Sequence, residues 1–265
     1  MKIDDMKIYI VTSDKYNHLL KIHSYLFNKF WGTNREVIVL GYKEPGFELP
    51  PNFKFQSLGI DVGPNGWSNG LIDYIQKTDE SHFILSLDDM PLTGKVNFNK
   101  LNKMIEYCDN DKVGRICLIR DTVHRPHKTF DVIDEEFSVI EALQSAEYRI
   151  STFWSIWNKE YFLNLIKPNM SPWNFELNAS SRAKNDGYHI LGTKSSNGPP
   201  DNSPIDCCNL MWKGQGYNFG KVNYPHLGHE GKLEQEVVDK MRNEGLIEPS
   251  QNVGVVYART WKYYD

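Results

Sequence analysis

Between residues 7 and 87 the chain alternates short β-rich runs with segments of helical spacing, and this alternation limits the possible folds more than any single motif. Lys7-Ile8-Tyr9-Ile10-Val11 is a compact β-forming run that ends in the polar cluster Thr12-Ser13-Asp14. Leu19, Ile22, Leu26 and Phe30 then recur at helical spacing, and Glu36-Val37-Ile38-Val39-Leu40 reads as a second strand stopped by Gly41. Phe53-Lys54-Phe55-Gln56-Ser57-Leu58 reads as a third. A turn-rich loop from Gly59 to Gly66 leads into a helix over Trp67 to Ile75, despite its internal Gly70. Phe83-Ile84-Leu85-Ser86-Leu87 is nearly all apolar, as a central strand covered on both faces requires. Such alternation predicts an α/β sandwich of Rossmann-like type, with a mainly parallel central sheet and helices on both faces.

The second half is less regular. Phe98, Leu101, Met104, Ile105 and Cys108 mark a helix, and Val113 to Leu118 a strand. Asp121 to Glu136 is a polar stretch that forms either a long loop or a hairpin. Tyr148 to Trp157 reads as a strand carrying broad rings, after which Asn158 caps a helix through Leu165. The Gly/Pro/Ser/Asn-rich passage from Gly192 to Pro204 is the candidate mobile loop, and a lid over a bound ligand is its sharper reading. One domain over residues 1–265 is expected.

Composition narrows the function classes. A formal net charge of −4, with basic residues scattered along the chain, offers no general attraction to nucleic acid. No window approaches the roughly 20 apolar residues of a membrane span, and Met1-Lys2-Ile3-Asp4-Asp5 has no apolar leader core, so a soluble, cytoplasmic protein is expected. Cys108, Cys117, Cys207 and Cys208 lack zinc-type pair spacing, and free, mostly buried thiols are expected. Aromatic residues make up 13% of the chain, and Gly66-Trp67-Ser68, Ser171-Pro172-Trp173 and Gly216-Tyr217 place rings in polar, loop-like surroundings where they suit sugar binding as well as core packing.

In open α/β sheets ligands bind beyond the carboxyl ends of the strands, which directs attention to Thr12-Ser13-Asp14, Gly59-Ile60-Asp61 and Asp88-Asp89. Two adjacent acids after a buried strand are costly unless a cation or solvent compensates them. Oxygen ligands of this kind suit Mg²⁺ or Mn²⁺, and departure of a nucleoside diphosphate is chemistry that needs such an ion. A polar turn before Pro91 explains the same residues without chemistry.

Taken together, Lys7-Ile8-Tyr9-Ile10-Val11-Thr12-Ser13, Trp67-Ser68-Asn69-Gly70-Leu71 and Phe83-Ile84-Leu85-Ser86-Leu87-Asp88-Asp89 resemble the nucleotide-binding half of GT-A glycosyltransferases, particularly bacterial and viral capsule or surface-glycan enzymes. Phe153-Trp154-Ser155-Ile156-Trp157-Asn158-Lys159-Glu160-Tyr161-Phe162 and Ser171-Pro172-Trp173-Asn174-Phe175-Glu176 resemble their acceptor side, so that the likeness spans roughly residues 6 to 225. It implies a nucleotide-sugar donor, UDP- or GDP-linked, bound by about residues 1–120, and a glycan acceptor bound by about residues 121–265. Thr12, Ser13 and Tyr16 would lie near the base, Asp61 at base or ribose, and Trp67 and Ser68 along the donor pocket. Asp89 would bind the metal and Asp88 the ribose or donor sugar, although the family's acids are spaced Asp-x-Asp and these are adjacent. From the residues themselves, Lys221 can neutralise phosphate charge, and His226 and His229 can add a metal ligand or touch the diphosphate. Trp154 and Trp173 would face the acceptor. Glu176 would be the general base of an inverting displacement. His124, Arg125 and His127 are open to an acceptor-anion role or to none.

Two other classes remain. A nucleotidyltransferase on a related α/β scaffold would also bind nucleotide and metal, but expects a glycine-rich loop after the first strand, and Thr12-Ser13-Asp14-Lys15-Tyr16 has no glycine. A carbohydrate-binding protein without catalysis would account for the rings but not for acids at the end of a central strand.

Overall fold

The computed structural model describes residues 2–197 and 202–207, together with Asn243. Its strands are β1 (Lys7–Val11), β2 (Val37–Gly41), β3 (Phe53–Ser57), β4 (His82–Leu87), β5 (Val113–Cys117), β6 (His127–Val132), β7 (Phe137–Ala142), β8 (Ser155–Asn158) and β9 (His189–Ser195). The helices are α1 (Leu20–Phe30), α2 (Trp67–Gln76), α3 (Phe98–Glu106), α4 (Lys159–Leu165) and α5 (Pro172–Arg182). All nine strands join one sheet in the order β3-β2-β1-β4-β8-β5-β9-β7-β6. Seven run one way, and β7 and β8 run against them. The α/β class and the dominant strand direction therefore agree with the sequence pattern.

Successive residues of a strand face opposite sides of a sheet, and β1 and β4 use both sides for packing. On one side Ile8, Ile10 and Ile84 meet Ile22, Leu26 and Phe27 of α1 and Leu101 and Met104 of α3. On the other, Tyr9, Val11, Phe83 and Leu85 meet Leu71 and Ile75 of α2, Phe162 of α4 and Phe175 of α5. Side-chain caps fix where three helices begin. Asn97 Oδ1 accepts from Lys100 N at 3.1 Å, Asn158 Oδ1 from Tyr161 N at 3.0 Å, and Ser171 Oγ from Asn174 N at 3.1 Å, with Pro172 opening α5.

Two expectations are corrected and one left open is resolved. The stretch from Tyr148 to Trp157 is strand only where it enters β8 at Ser155; in place of a ladder, the side chains of Arg115, Arg125 and Ser180 satisfy backbone groups of the preceding residues. Gly192 to Ser195 belong to β9, paired with Phe137–Ile140 of β7, so the expected loop is reduced to the residues after Ser195, of which 198–201 lie outside the described residues. The polar stretch from Asp121 resolves as the hairpin alternative, with β6 on the sheet edge and its side chains half-buried or exposed, against a β7 buried throughout. Cys108, Cys117 and Cys207 are buried thiols in no disulfide, while Cys208 lies outside the described residues. Among the described residues no helix is long and apolar enough to cross a membrane.

The topology gathers one edge of the sheet. β8 runs against β4 and β5, with Ser155 paired to Leu85 and Cys117, so the segment entering β8 meets the segments leaving β4 and β5. Thr12, Asp88, Asp121 and Thr152 thereby share that edge.

Candidate active site

The strand ladder of β1 continues one residue past Leu87, because Asp88 N donates to Val11 O at 3.1 Å. That bond brings Thr12 beside Asp88, and Thr12 Oγ1 donates to Asp88 Oδ2 at 2.5 Å. Asp88 is only 5% exposed. Burial, followed by the charge of Asp89, pushes its carboxyl well above the usual range, against the opposing pull of the Thr12 hydrogen bond. His23 Nδ1 donates to the Asp88 carbonyl at 3.1 Å; full burial lowers His23 to about 4, so its ring is neutral. Beyond the acids, Trp154 Nε1 donates to Met90 O at 2.7 Å and pins the far side of the turn.

Asp89 is different. It is half-buried, yet its Oδ1 is shielded from solvent and has no hydrogen-bond partner. Burial, and then the nearby charge of Glu176, raise its carboxyl to about 7. An orphaned buried oxygen beside a second acid is the environment a divalent cation would relieve.

Glu176 sits in the second turn of α5 and is half-buried there. Its Oε1 accepts from Thr152 N at 2.7 Å and from Thr152 Oγ1 at 2.8 Å. Burial raises its carboxyl, the Thr152 bonds oppose that rise, Asp121 adds to it and Arg115 offsets it.

The segment before β8 is held by Arg115, Ser151 and Asp121, which the sequence reading did not single out, and by Arg125, for which it expected another role. Arg115, 1% exposed in the middle of β5, donates from Nε to Ser155 Oγ at 2.9 Å, from Nη2 to Ser151 Oγ at 2.6 Å and from Nη1 to Arg149 O at 3.2 Å. Ser151 Oγ donates to Asp121 Oδ2 at 3.1 Å, and Arg125 Nη2 meets Asp121 Oδ1 at 2.8 Å. Arg125 Nε also donates to the carbonyl of Tyr148, whose φ of 56° is left-handed. A charged residue inside the apolar run Val113-Gly114-Arg115-Ile116-Cys117 was the available signal.

The remaining expected residues fall in different surroundings. Ser13 and Tyr16 are half-buried in the loop after β1, and Asp61 Oδ2 accepts from Asp14 N at 3.3 Å, which ties the loop after β3 to it. Trp67, Ser68 and Trp154 belong to the core. Trp67 is 6% exposed and packs 5.9 Å from Phe175. Ser68 is fully buried, its Oγ accepting from Met170 N at 2.9 Å. Trp154 is fully buried and stacks on Phe27 and Trp31. A residue with no exposed surface presents no face to an acceptor or donor, which corrects the expectation for Trp154 and Ser68. Asp88 is buried and turns Oδ2 to Thr12. Trp173, by contrast, is 54% exposed. Lys221, His226 and His229 lie outside the described residues. His124 is buried and lowered to about 4, chiefly by that burial, and Arg125 is paired with Asp121, so neither is presented to an anion.

Among the described residues no group of three or more His, Cys, Asp or Glu side chains is placed to hold a metal. The unpartnered oxygen of Asp89 nevertheless fits Mg²⁺ or Mn²⁺, which take oxygen ligands and commonly complete their shells with water and substrate phosphate.

No protein-family model matches the chain, and no curated protein sequence matches it. Among solved structures it is similar to a protein from STIV, with a TM-score of 0.42, 12% identity, and coverage of 78% of this chain and 87% of that one. A mannosyltransferase from Pyrobaculum calidifontis in complex with GDP-Man and Mn²⁺ gives a TM-score of 0.45 at 10% identity, over 80% of this chain and 58% of that one. A CMP:2-keto-3-deoxy-manno-octonic acid synthetase complexed with CTP gives 0.41 at 11% identity, over 74% and 93%. Likenesses this distant do not carry an activity across.

Proposed function

We propose that the chain is a metal-dependent glycosyltransferase that passes a sugar from a UDP- or GDP-sugar to a hydroxyl of a glycan, with inversion. The observation that carries this reading is the turn at the end of β4, where Asp89 Oδ1 is buried without a partner and Asp89 is held near a neutral pKa beside Glu176. Asp89 would hold Mg²⁺ or Mn²⁺, which when bound offsets the charge developing on a leaving nucleoside diphosphate. Thr12 and His23 fix the backbone and carboxylate of Asp88, and so the place of Asp89.

Glu176 is the proton acceptor in this reading. Its raised carboxyl takes the proton of the acceptor hydroxyl while that oxygen bonds to the anomeric carbon and the bond from that carbon to the diphosphate oxygen breaks. Trp173, exposed on the same helix, would offer its ring to the acceptor, and Ser13, Tyr16 and Asp61 would form the donor side. Lys221 on the phosphates and His229 on the metal remain part of the proposal from sequence alone. Residues 1–120 accordingly supply most of the donor side and residues 121–265 most of the acceptor side.

The test is a thermal-shift screen with UDP and GDP, with and without Mn²⁺, followed by Mn²⁺-dependent hydrolysis of a panel of nucleotide sugars. Metal-dependent binding of a nucleoside diphosphate and release of free sugar are expected. Condensation of a nucleoside triphosphate with a sugar 1-phosphate would replace this reading with nucleotidyl transfer. Absence of any nucleotide binding would leave a sugar-binding protein without catalysis. Glu176→Gln is expected to keep donor binding and lose transfer, and unchanged turnover would remove its role.

A further inference from the structure

We propose that Thr152 is the positioning residue for Glu176, tying Oε1 with two hydrogen bonds so that Oε2 alone is directed to a substrate proton; the catalytic part of this inference rests on the reading of Glu176 as the base. Both bonds come from one residue, the backbone N–H at 2.7 Å and the hydroxyl at 2.8 Å, and both end on the same oxygen. Among the described residues no hydrogen bond reaches Oε2. A carboxylate with one oxygen doubly bound has a fixed plane and one basic lone-pair direction, which is what a proton acceptor needs and a solvated surface glutamate lacks.

Thr152 can impose that geometry because the chain before it is held at successive residues by side chains, without a strand ladder. Arg125 holds the Tyr148 carbonyl, and Arg115 holds the Arg149 carbonyl and the Ser151 hydroxyl. Ser180 Oγ accepts from Ile150 N at 2.9 Å and lies 3.2 Å from Ile150 O. Ser180 belongs to α5, the helix that carries Glu176, so the 148–152 segment and the base are fastened to each other at two points, one turn apart on α5. Neither fastening depends on a bound ligand. The site's proton acceptor is therefore set before substrate arrives.

The experiment uses the full chain without any ligand, labelled with ¹³Cδ-glutamate, and follows each carboxyl signal against pH. The Glu176 signal is identified by its loss in Glu176→Gln. Thr152→Val removes the hydroxyl bond and keeps the backbone bond, so the Glu176 midpoint is expected to rise by about one pH unit, the size of one hydrogen bond to a charged group. Thr152→Ser keeps the hydroxyl and is expected to leave the midpoint in place. If Thr152→Val does not fold, Thr152→Ala removes the same donor with no added bulk. A midpoint that stays put in the hydroxyl-free variant, or that moves as far in Thr152→Ser, overturns the inference. Failure of the functional reading shows elsewhere, as transfer that survives Glu176→Gln; that result also removes the catalytic purpose of Thr152 while leaving the measured hydrogen bond intact.

Discussion

Thr12 and Asp88 are joined side chain to side chain at 2.5 Å, across 76 positions of sequence and across the boundary between two parallel strands. The hydroxyl donates to a carboxylate that is otherwise deep in the protein, and it is the side-chain contact that keeps the first acid of the turn turned away from solvent. Asp89 is then left as the acid with an oxygen to offer.

Thr12→Val tests that contact directly. Valine keeps the methyl group that lies beside Gly41 but removes the donor. A buried carboxylate without its partner costs about 1–3 kcal/mol, and the variant is expected to lose that much stability at neutral pH in urea unfolding with an unchanged slope. It is also expected to weaken Mn²⁺-dependent nucleotide binding, since Asp88 becomes harder to ionise. A variant as stable as the parent would show that the contact contributes nothing.

The two tryptophans assigned to the acceptor from sequence are expected to part company under mutation. Trp154 is fully buried, stacked among Phe27, Trp31 and His23, and donates to Met90 O. Trp154→Ala should cost about 3–5 kcal/mol through the cavity it leaves. Trp173→Ala, at an exposed position, should change stability by no more than about 0.5 kcal/mol, while raising the KM for acceptor under the functional reading. Equal losses of stability in the two variants would contradict the placement of the rings.

That contrast also marks what was legible in the sequence. The strands of the first half were readable because their runs are apolar and continuous; β1 spans the same five residues, Lys7–Val11, in both readings. The acids at the end of β4 were readable because polar residues after a buried strand break a strong pattern. Burial of an aromatic ring was not readable, since a tryptophan in a polar neighbourhood has the same local sequence whether its ring faces solvent or core. The segment from Tyr148 to Trp154 misled for a related reason: its β-forming residues are held by Arg115, Arg125 and Ser180, from elsewhere in the chain, and periodicity carries no trace of such partners. Nothing around Thr152 in the sequence marks it, because its hydrogen-bond partner, Glu176, is 24 positions away.

Gly114 gives a further check on the sheet next to the site. A Cβ added there would run into the ring of Tyr161 from α4, whose hydroxyl is held by Asp186 Oδ2 at 2.7 Å and which cannot easily retreat. Gly114→Ala is expected to destabilise the protein by about 1–3 kcal/mol, the usual cost of overpacking. Gly46 is exposed, with nothing within 4 Å of an added Cβ, so Gly46→Ala is the matched control and should change stability by less than about 0.5 kcal/mol. Thermal unfolding of the pair decides the matter, and a Gly114→Ala variant as stable as Gly46→Ala would count against the packing of α4 on β5.

Asp89 connects pH, metal and stability. Its folded value of about 7 lies above the ordinary value of about 3.9, so the native state binds this proton more tightly than the unfolded chain does. The contribution is therefore fully present below about pH 4 and is withdrawn as pH rises through about 7. Asp88 and Glu176 are shifted in the same direction and add to the same loss. Two outcomes are expected. Without metal, Asp89→Asn should raise the unfolding temperature at pH 8 and leave it nearly unchanged at pH 4, because the amide removes a charge that the site accommodates poorly. With Mn²⁺, the parent should gain stability at pH 8, where the carboxylate is ionised, and gain much less at pH 5.5, where a proton competes for the same oxygen. Asp89→Asn should show little response to Mn²⁺ at either pH. An equal Mn²⁺ response in parent and variant would move the metal away from Asp89, and with it the chemistry assigned to the end of β4.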